Sequence, residues 1–178
     1  ISLDVIRLKK PAFNEFVMSA FGPVMRKNEV DKFAGTTYLF SGVTLVAFLF
    51  PPQVVLLTIL FLAFADPMAS YWGIRFGKDK IFGEKSLQGT MAAFFVCSIV
   101  TFIYLSANWL LIDRIVVVSL LGGLIGALAE LIPIGKLDDN FSLPVLSASA
   151  LWLVFHLFGA FALLVFVRLL VSSISFAP

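Results

Sequence analysis

Forty-two residues separate Lys32 from Arg75, and Asp66 is the only charge among them. About 20 apolar residues cross a bilayer. The run therefore holds two spans, with Pro51-Pro52 marking the turn between them. Ser86 to Ile112 is a second uncharged stretch, of 27 residues, and gives a third span. Ile115 to Ile132, interrupted only by Glu130, gives a fourth. Phe141 to Val167, again 27 uncharged residues, gives a fifth that is long or bent near Pro144. Only 13% of the chain is charged and 60% is hydrophobic, against about a quarter charged in a soluble domain. A water-soluble globule of this size cannot hide that much apolar surface. The expected fold class is all-α, a polytopic membrane bundle of about five spans.

The first 35 residues differ from the rest. Phe13, Phe16, Val17, Ala20, Phe21 and Val24 recur at helical spacing among polar residues. This reads as an amphipathic helix on the membrane surface, with packing against the bundle as the alternative. The expected division is 1–35 as a cytosolic-face amphipathic segment and 36–178 as the transmembrane catalytic bundle. No signal peptide is visible in Ile1–Lys10. A chain that starts at Ile1 instead of Met reads as a piece of something longer.

Orientation follows from where the basic residues fall. With the N-terminal segment inside, eleven of the thirteen Lys and Arg lie on the cytosolic side. Only Arg114 and Arg168 lie outside, a strong positive-inside bias. Asp66, Glu130, Asp138 and Asp139 all fall near cytosolic span ends. Such an arrangement fits a bacterial inner membrane or an endoplasmic reticulum membrane equally well. The basic residues are explained by topology, so nucleic-acid binding has no support.

Three segments at that face carry chemistry. In Asp66-Pro67-Met68-Ala69-Ser70 and on to Gly77, Asp66 and Ser70 share a helix face. Ala69, Gly73 and Gly77 form a small-residue stripe for close packing. An acid inside an apolar helix is costly and marks a functional candidate; plain helix packing with a paired acid is the alternative. In Gly83-Glu84-Lys85-Ser86, a lysine precedes a helix start that Ser86 can cap, an arrangement suited to phosphate. In Glu130 and then Lys136-Leu137-Asp138-Asp139-Asn140, oxygen-bearing side chains open the fifth span. They suit Mg²⁺ or another divalent cation bound through one or two carboxylates and substrate phosphates, or they simply cap the helix. Gly122, Gly126 and Glu130 share one face, which brings Glu130 to a neighbouring span. Together these are the parts of phosphoryl transfer, with neither a GxxxxGK[ST] nor a GxGxxG loop. Cys97 reads as a small buried apolar residue and His156 as a hydrogen-bonded core residue. The three tryptophans, Trp72, Trp109 and Trp152, read as interface or packing aromatics.

At Arg26-Lys27-Asn28-Glu29, Gly35-Thr36-Thr37-Tyr38, Asp66-Pro67-Met68-Ala69, Gly73-Ile74-Arg75-Phe76-Gly77, Lys85-Ser86-Leu87-Gln88-Gly89, Glu130 and Leu137-Asp138-Asp139-Asn140 with Pro144, the chain resembles the CTP-dependent lipid kinases. That family includes dolichol, phytol and farnesol kinases and CTP-dependent diacylglycerol kinase; it is distantly similar to the phosphatidate cytidylyltransferases. The resemblance covers nearly the whole chain. Ala65 stands where the family usually has Gly, and the family's upstream His motif is absent here. What the resemblance implies is a CTP donor, a divalent metal and a lipid alcohol acceptor in the bilayer. It implies Asp66, Asp138 and Asp139 around metal and triphosphate, with Asp66, Lys85, Glu130 and Asp139 catalytic. Arg26, Arg75, Lys78, Lys85, Ser86 and Asn140 are then the nucleotide-binding candidates. Asp66 or Glu130 would orient or deprotonate the lipid hydroxyl. A cytidylyltransferase is one alternative, though its Pro-Gly-His-Gly-Gly stretch is missing. A transporter or scaffold is another, though no inverted repeat is visible. The acceptor lipid and the oligomeric state stay open; an oligomer is compatible with these residues.

Overall fold

The computed structural model describes residues 2–21, 30–132, 134–135 and 137–161. Its helices start and stop where prolines, glycines and caps dictate. The helix α3 (Gly35–Leu49) ends at Phe50, and Pro51 and Pro52 open α4 (Pro52–Leu60), since proline suits a first turn but not an interior. A π turn, Phe61–Ala65, joins α4 to α5 (Asp66–Phe76). The short antiparallel strands β1 (Lys80–Phe82) and β2 (Lys85–Ser86) follow. Gly83, at φ 54°, turns the chain between them, a conformation glycine adopts without steric cost. Then come α6 (Leu87–Ala107), a 3-10 turn at Ile112–Arg114, α7 (Ile115–Leu131) and α8 (Asp139–Leu157).

Among the described residues, four helical stretches are long and apolar enough to cross a membrane: Pro52–Phe76, Leu87–Ala107, Ile112–Leu131 and Asp139–Leu157. The expected first span is the shorter α3, of 15 residues and thus ~22 Å long. The fold class is the all-α membrane bundle read from the sequence. Its interior is sealed by Val54, Leu57, Phe61, Cys97, Leu105 and Phe155, all fully buried. Its outside carries large apolar side chains such as Phe48 and Ile74, 88% and 89% exposed. Lipid is the solvent that tolerates such a surface.

Glycines set how closely the helices pack. A Cβ on Gly42 of α3 would lie 3.0 Å from Pro144 Cγ and 3.1 Å from Phe141 Cα of α8. On α7, Gly122 faces Thr101, Gly123 faces Ser98 and Gly126 faces Cys97, all on α6. The expected Gly122–Gly126–Glu130 face is thus the one that meets α6.

The helix expected around Phe13 to Phe21 is present in the N-terminal region, and a second helix precedes it. Two helices, α1 (Ser2–Lys9) and α2 (Pro11–Phe21), meet at Pro11. No residue of α2 is buried. The expected continuation to Val24 lies outside the described residues. Arg7 of α1 is 2% exposed. It donates to Asp4 Oδ1 at 2.9 Å, Asn14 Oδ1 at 3.0 Å and the carbonyls of Val30 and Lys32 at 3.3 and 2.6 Å. Asp4 Oδ2 accepts the N–H of Ala34 at 2.8 Å. The chain entering α3 is thereby clamped to α1. A buried charge is tolerable only when paired in this way.

Candidate active site

The ends of three spans converge with the hairpin at one end of the bundle. Ser86 is 2% exposed and caps α6, its Oγ accepting the N–H of Gly89 at 3.3 Å. Asp138 caps α8 in the same way, accepting from Asn140 N–H at 3.0 Å. These caps account for Ser86 and Asp138 locally. They also fix Lys85 and Asp139, the residues beside them.

Lys85 is where the elements meet. Its ammonium lies 2.7 Å from Glu130 Oε1, at the end of α7, and 2.8 Å from Asp139 Oδ2, at the start of α8. The three side chains are 30%, 6% and 45% exposed in that order. Burial alone would lower the Lys85 pKa. The hydrogen bonds and charges of Asp139 and Glu130 outweigh it and hold the ammonium above the ordinary lysine value. Lys85 is therefore a fixed positive charge at physiological pH. Glu130, an acid inside an apolar helix, is accounted for by this ion pair.

The hairpin is braced by Gln88. Its Nε2 donates to Asp79 Oδ2 at 2.7 Å, and its Oε1 accepts the N–H groups of Lys78 and Asp79 at 3.2 and 3.4 Å. Lys80 donates to the Glu84 carbonyl at 2.7 Å. Arg75 is exposed; it donates to Tyr71 Oη at 2.6 Å and lies over the rings of Tyr71 and Phe76. Arg75 and Lys78 thus stand at the exposed rim, apart from the Lys85 ion pairs. Asp66 is half-buried in the first turn of α5 and has a partner of its own. Arg26 and Lys136 lie outside the described residues.

Among the described residues no three Asp, Glu, His or Cys side chains stand together to hold a metal ion. The acids gather instead as a pair around Lys85. The donor set still fits a hard cation: Asp138 and Asp139 are adjacent oxygen donors, and Asp139 is half-exposed. A magnesium ion commonly needs only one or two carboxylates beside substrate phosphates. Sequence reasoning missed the bracing role of Gln88 and the Asp4–Arg7–Asn14 clamp. Three-residue spacing of Asp4 and Arg7 was the visible signal, but it reads equally as a surface helix pair.

A fixed ammonium held where spans end, between one buried and one half-exposed carboxylate, defines a polytopic membrane protein with a charged site at one face. Comparison with known proteins specifies it further. No family model matches the chain, and no solved structure matches it. It is 35% identical over 162 residues to CTP-dependent diacylglycerol kinase 1 of Schizosaccharomyces pombe, covering 85% of this chain and 74% of that protein. The proteins of the same name from Eremothecium gossypii and Saccharomyces cerevisiae are 34% and 31% identical over 165 residues. Those alignments cover 82% of this chain and 52% and 57% of the relatives, so the chain spans about half their length. The chain belongs to the family of CTP-dependent lipid kinases.

Proposed function

We propose that this CTP-dependent lipid kinase acts on diacylglycerol, transferring the γ-phosphoryl group of CTP to its free hydroxyl on the cytosolic side of the membrane. The observation that carries the reading is the Lys85 ammonium held at 2.7 and 2.8 Å between Glu130 and Asp139, in a chain related to kinases named for that substrate. In the transfer, the lipid oxygen forms a bond to the γ-phosphorus as the bond to the β-phosphate bridging oxygen breaks. CDP leaves, and the hydroxyl proton passes to a carboxylate, Asp66 or Glu130. Lys85 holds phosphate oxygens by charge-assisted hydrogen bonds, and the further nucleotide contacts are Ser86 and Asn140, Arg75 and Lys78 from the exposed rim, and Arg26 on the segment before α3. Asp138 and Asp139, with Asp66, would hold a divalent cation, which when bound neutralises charge developing on the phosphates. The cytosolic orientation rests on the distribution of Lys and Arg along the chain. The N-terminal α2, with no buried residue, lies on the membrane surface and presents Phe16 and Phe21 to lipid.

The test is label transfer from γ-labelled CTP, with ATP in parallel, to diacylglycerol, a polyprenol, phytol or farnesol in mixed micelles with Mg²⁺. Label in diacylglycerol from CTP alone is expected. Label in another alcohol replaces the acceptor. A CDP-lipid with release of pyrophosphate replaces the reaction with that of a cytidylyltransferase.

A further inference from the structure

We infer that Glu130 is not the acceptor of the lipid proton but the positioning residue for Lys85, keeping its ammonium aimed at the nucleotide phosphates; this rests on the phosphate-binding role proposed above for Lys85. Three observations lead there. First, Glu130 is 6% exposed, and its Oε1 is already engaged by the ammonium. A base must come within hydrogen-bond reach of the proton it takes, and a carboxylate enclosed behind a lysine faces the lysine instead of the membrane. Second, Lys85 has two carboxylate partners of unlike accessibility. Asp139 is 45% exposed at the first turn of α8, so it is free to turn towards another cation. Glu130 is not. When Asp139 engages a second positive charge, Lys85 keeps one fixed partner and hence one fixed position. Third, the position of Glu130 is set by rigid packing. The two glycines that precede it on the same face of α7, Gly122 and Gly126, lie against Thr101 and Cys97 of α6. A long, flexible lysine loses rotamer freedom when it binds phosphate, and a buried partner removes part of that cost beforehand.

The inference is tested by how Glu130 and Lys85 couple. The quantities measured are the equilibrium affinity for labelled CTP and the separate kcat, KM for CTP and KM for lipid. Glu130→Gln is expected to weaken CTP binding roughly tenfold, the scale of one charge-assisted contact, with KM for the lipid unchanged. In a Lys85→Ala background, adding Glu130→Gln should weaken CTP no further, because nothing remains to be positioned. Glu130→Asp, which keeps the charge with a shorter reach, should recover part of the affinity. It also carries the same comparison should Glu130→Gln fail to fold. A fall in kcat at unchanged CTP affinity that persists in the Lys85→Ala background would overturn the inference and make Glu130 the proton acceptor. An unequal loss of lipid and nucleotide KM in favour of lipid would overturn it too. Wild-type protein that binds CTP but labels no lipid refutes the kinase reading while the binding comparison still decides this one. Wild-type protein that binds no CTP overturns both.

Discussion

A methyl group at Gly89 should displace the site without touching any charged residue. Gly89 lies in the first turn of α6, facing α5. A Cβ built there falls 2.7 Å from the carbonyl oxygen of Ala69, 3.3 Å from Gly73 Cα and 3.4 Å from Ser86 Oγ. The first two neighbours are backbone atoms, so no side chain can swing away. Reaching the ordinary 3.4 Å contact from 2.7 Å requires the two helices to separate by about 0.7 Å at this point. Overpacking of this kind costs about 1–3 kcal/mol, against which alanine recovers up to ~1 kcal/mol of helix propensity. The net loss is about 1–2 kcal/mol, or a fall in Tm of roughly 5 °C for a chain of this size. Gly73→Ala on the facing helix is the control. Its nearest neighbour is a side-chain atom, Ser86 Oγ, at 3.3 Å, and the nearest backbone atom, Gly89 Cα, is 3.9 Å away, so it should cost less. Thermal unfolding in detergent reads the stability. The CTP KM reads the site, because Lys85 and the Ser86 cap ride on the same turn. Gly89→Ala with wild-type Tm and CTP KM would refute the reasoning, as would a Gly73→Ala variant that is the worse of the two.

Three further outcomes are expected. Lys85→Ala strands the buried Glu130 carboxylate and should cost about 2 kcal/mol, below the full cost of breaking a buried pair because Lys85 is partly exposed; Lys85→Ala with Glu130→Gln should recover most of the loss in the same unfolding assay. Burial alone would raise the Asp4 pKa, but the Ala34 N–H, the Thr37 side chain and Arg7 outweigh it and hold the carboxyl below its ordinary value. Its contribution to stability is therefore present above about pH 4 and lost as pH falls through the lowered pKa, so the gap in Tm between wild type and Asp4→Asn should narrow steadily as pH falls below about 4. Asp139→Asn should abolish turnover and leave the unfolding temperature and elution profile close to wild type; full turnover would remove Asp139 from the mechanism.

Much of this bundle was legible because charge is the costly commodity in a membrane. Each long gap between charged residues corresponds to one or two spans, and each acid inside such a gap stood out as a candidate. The partners of those acids were not legible. Glu130 and Lys85 are 45 residues apart, and the glycine contacts that bring them together depend on which face of α7 meets α6. Spacing showed that Gly122 and Gly126 share a face with Glu130, but Cys97 and Thr101 opposite them carry no signal. The N-terminal clamp was hidden for a similar reason. Ala34 meets Asp4 across 30 residues, and this contact, together with Pro51, confines α3 to a length shorter than its apolar run suggested. The hairpin was not legible because three- and two-residue strands are too short for alternation to show.

The turn before Asp66 follows from the proline after it. In an α-helix the carbonyl of Ala63 would pair with the N–H of residue 67, and Pro67 has none. A π turn pairs each carbonyl with the N–H five residues on, so at Phe61–Ala65 the chain can pass over the proline without breaking the span. The wider turn shifts the register of everything after it. Ala65 and Ala69 are buried, and Gly73 lies against Ser86 and Gly89, so one face of α5 is pressed onto the start of α6. Asp66 sits beside that face. Substituting Pro67 by Ala restores the missing N–H and removes the need for the wide turn. A regular α-helix from Pro52 to Phe76 would then rotate either Asp66 or the Gly73 contact out of place, because one residue of register is about 100° of rotation. The pairing of Asp66-Pro67 with a π turn is thus a positional device, and α5 could not satisfy both its packing and its acid without it.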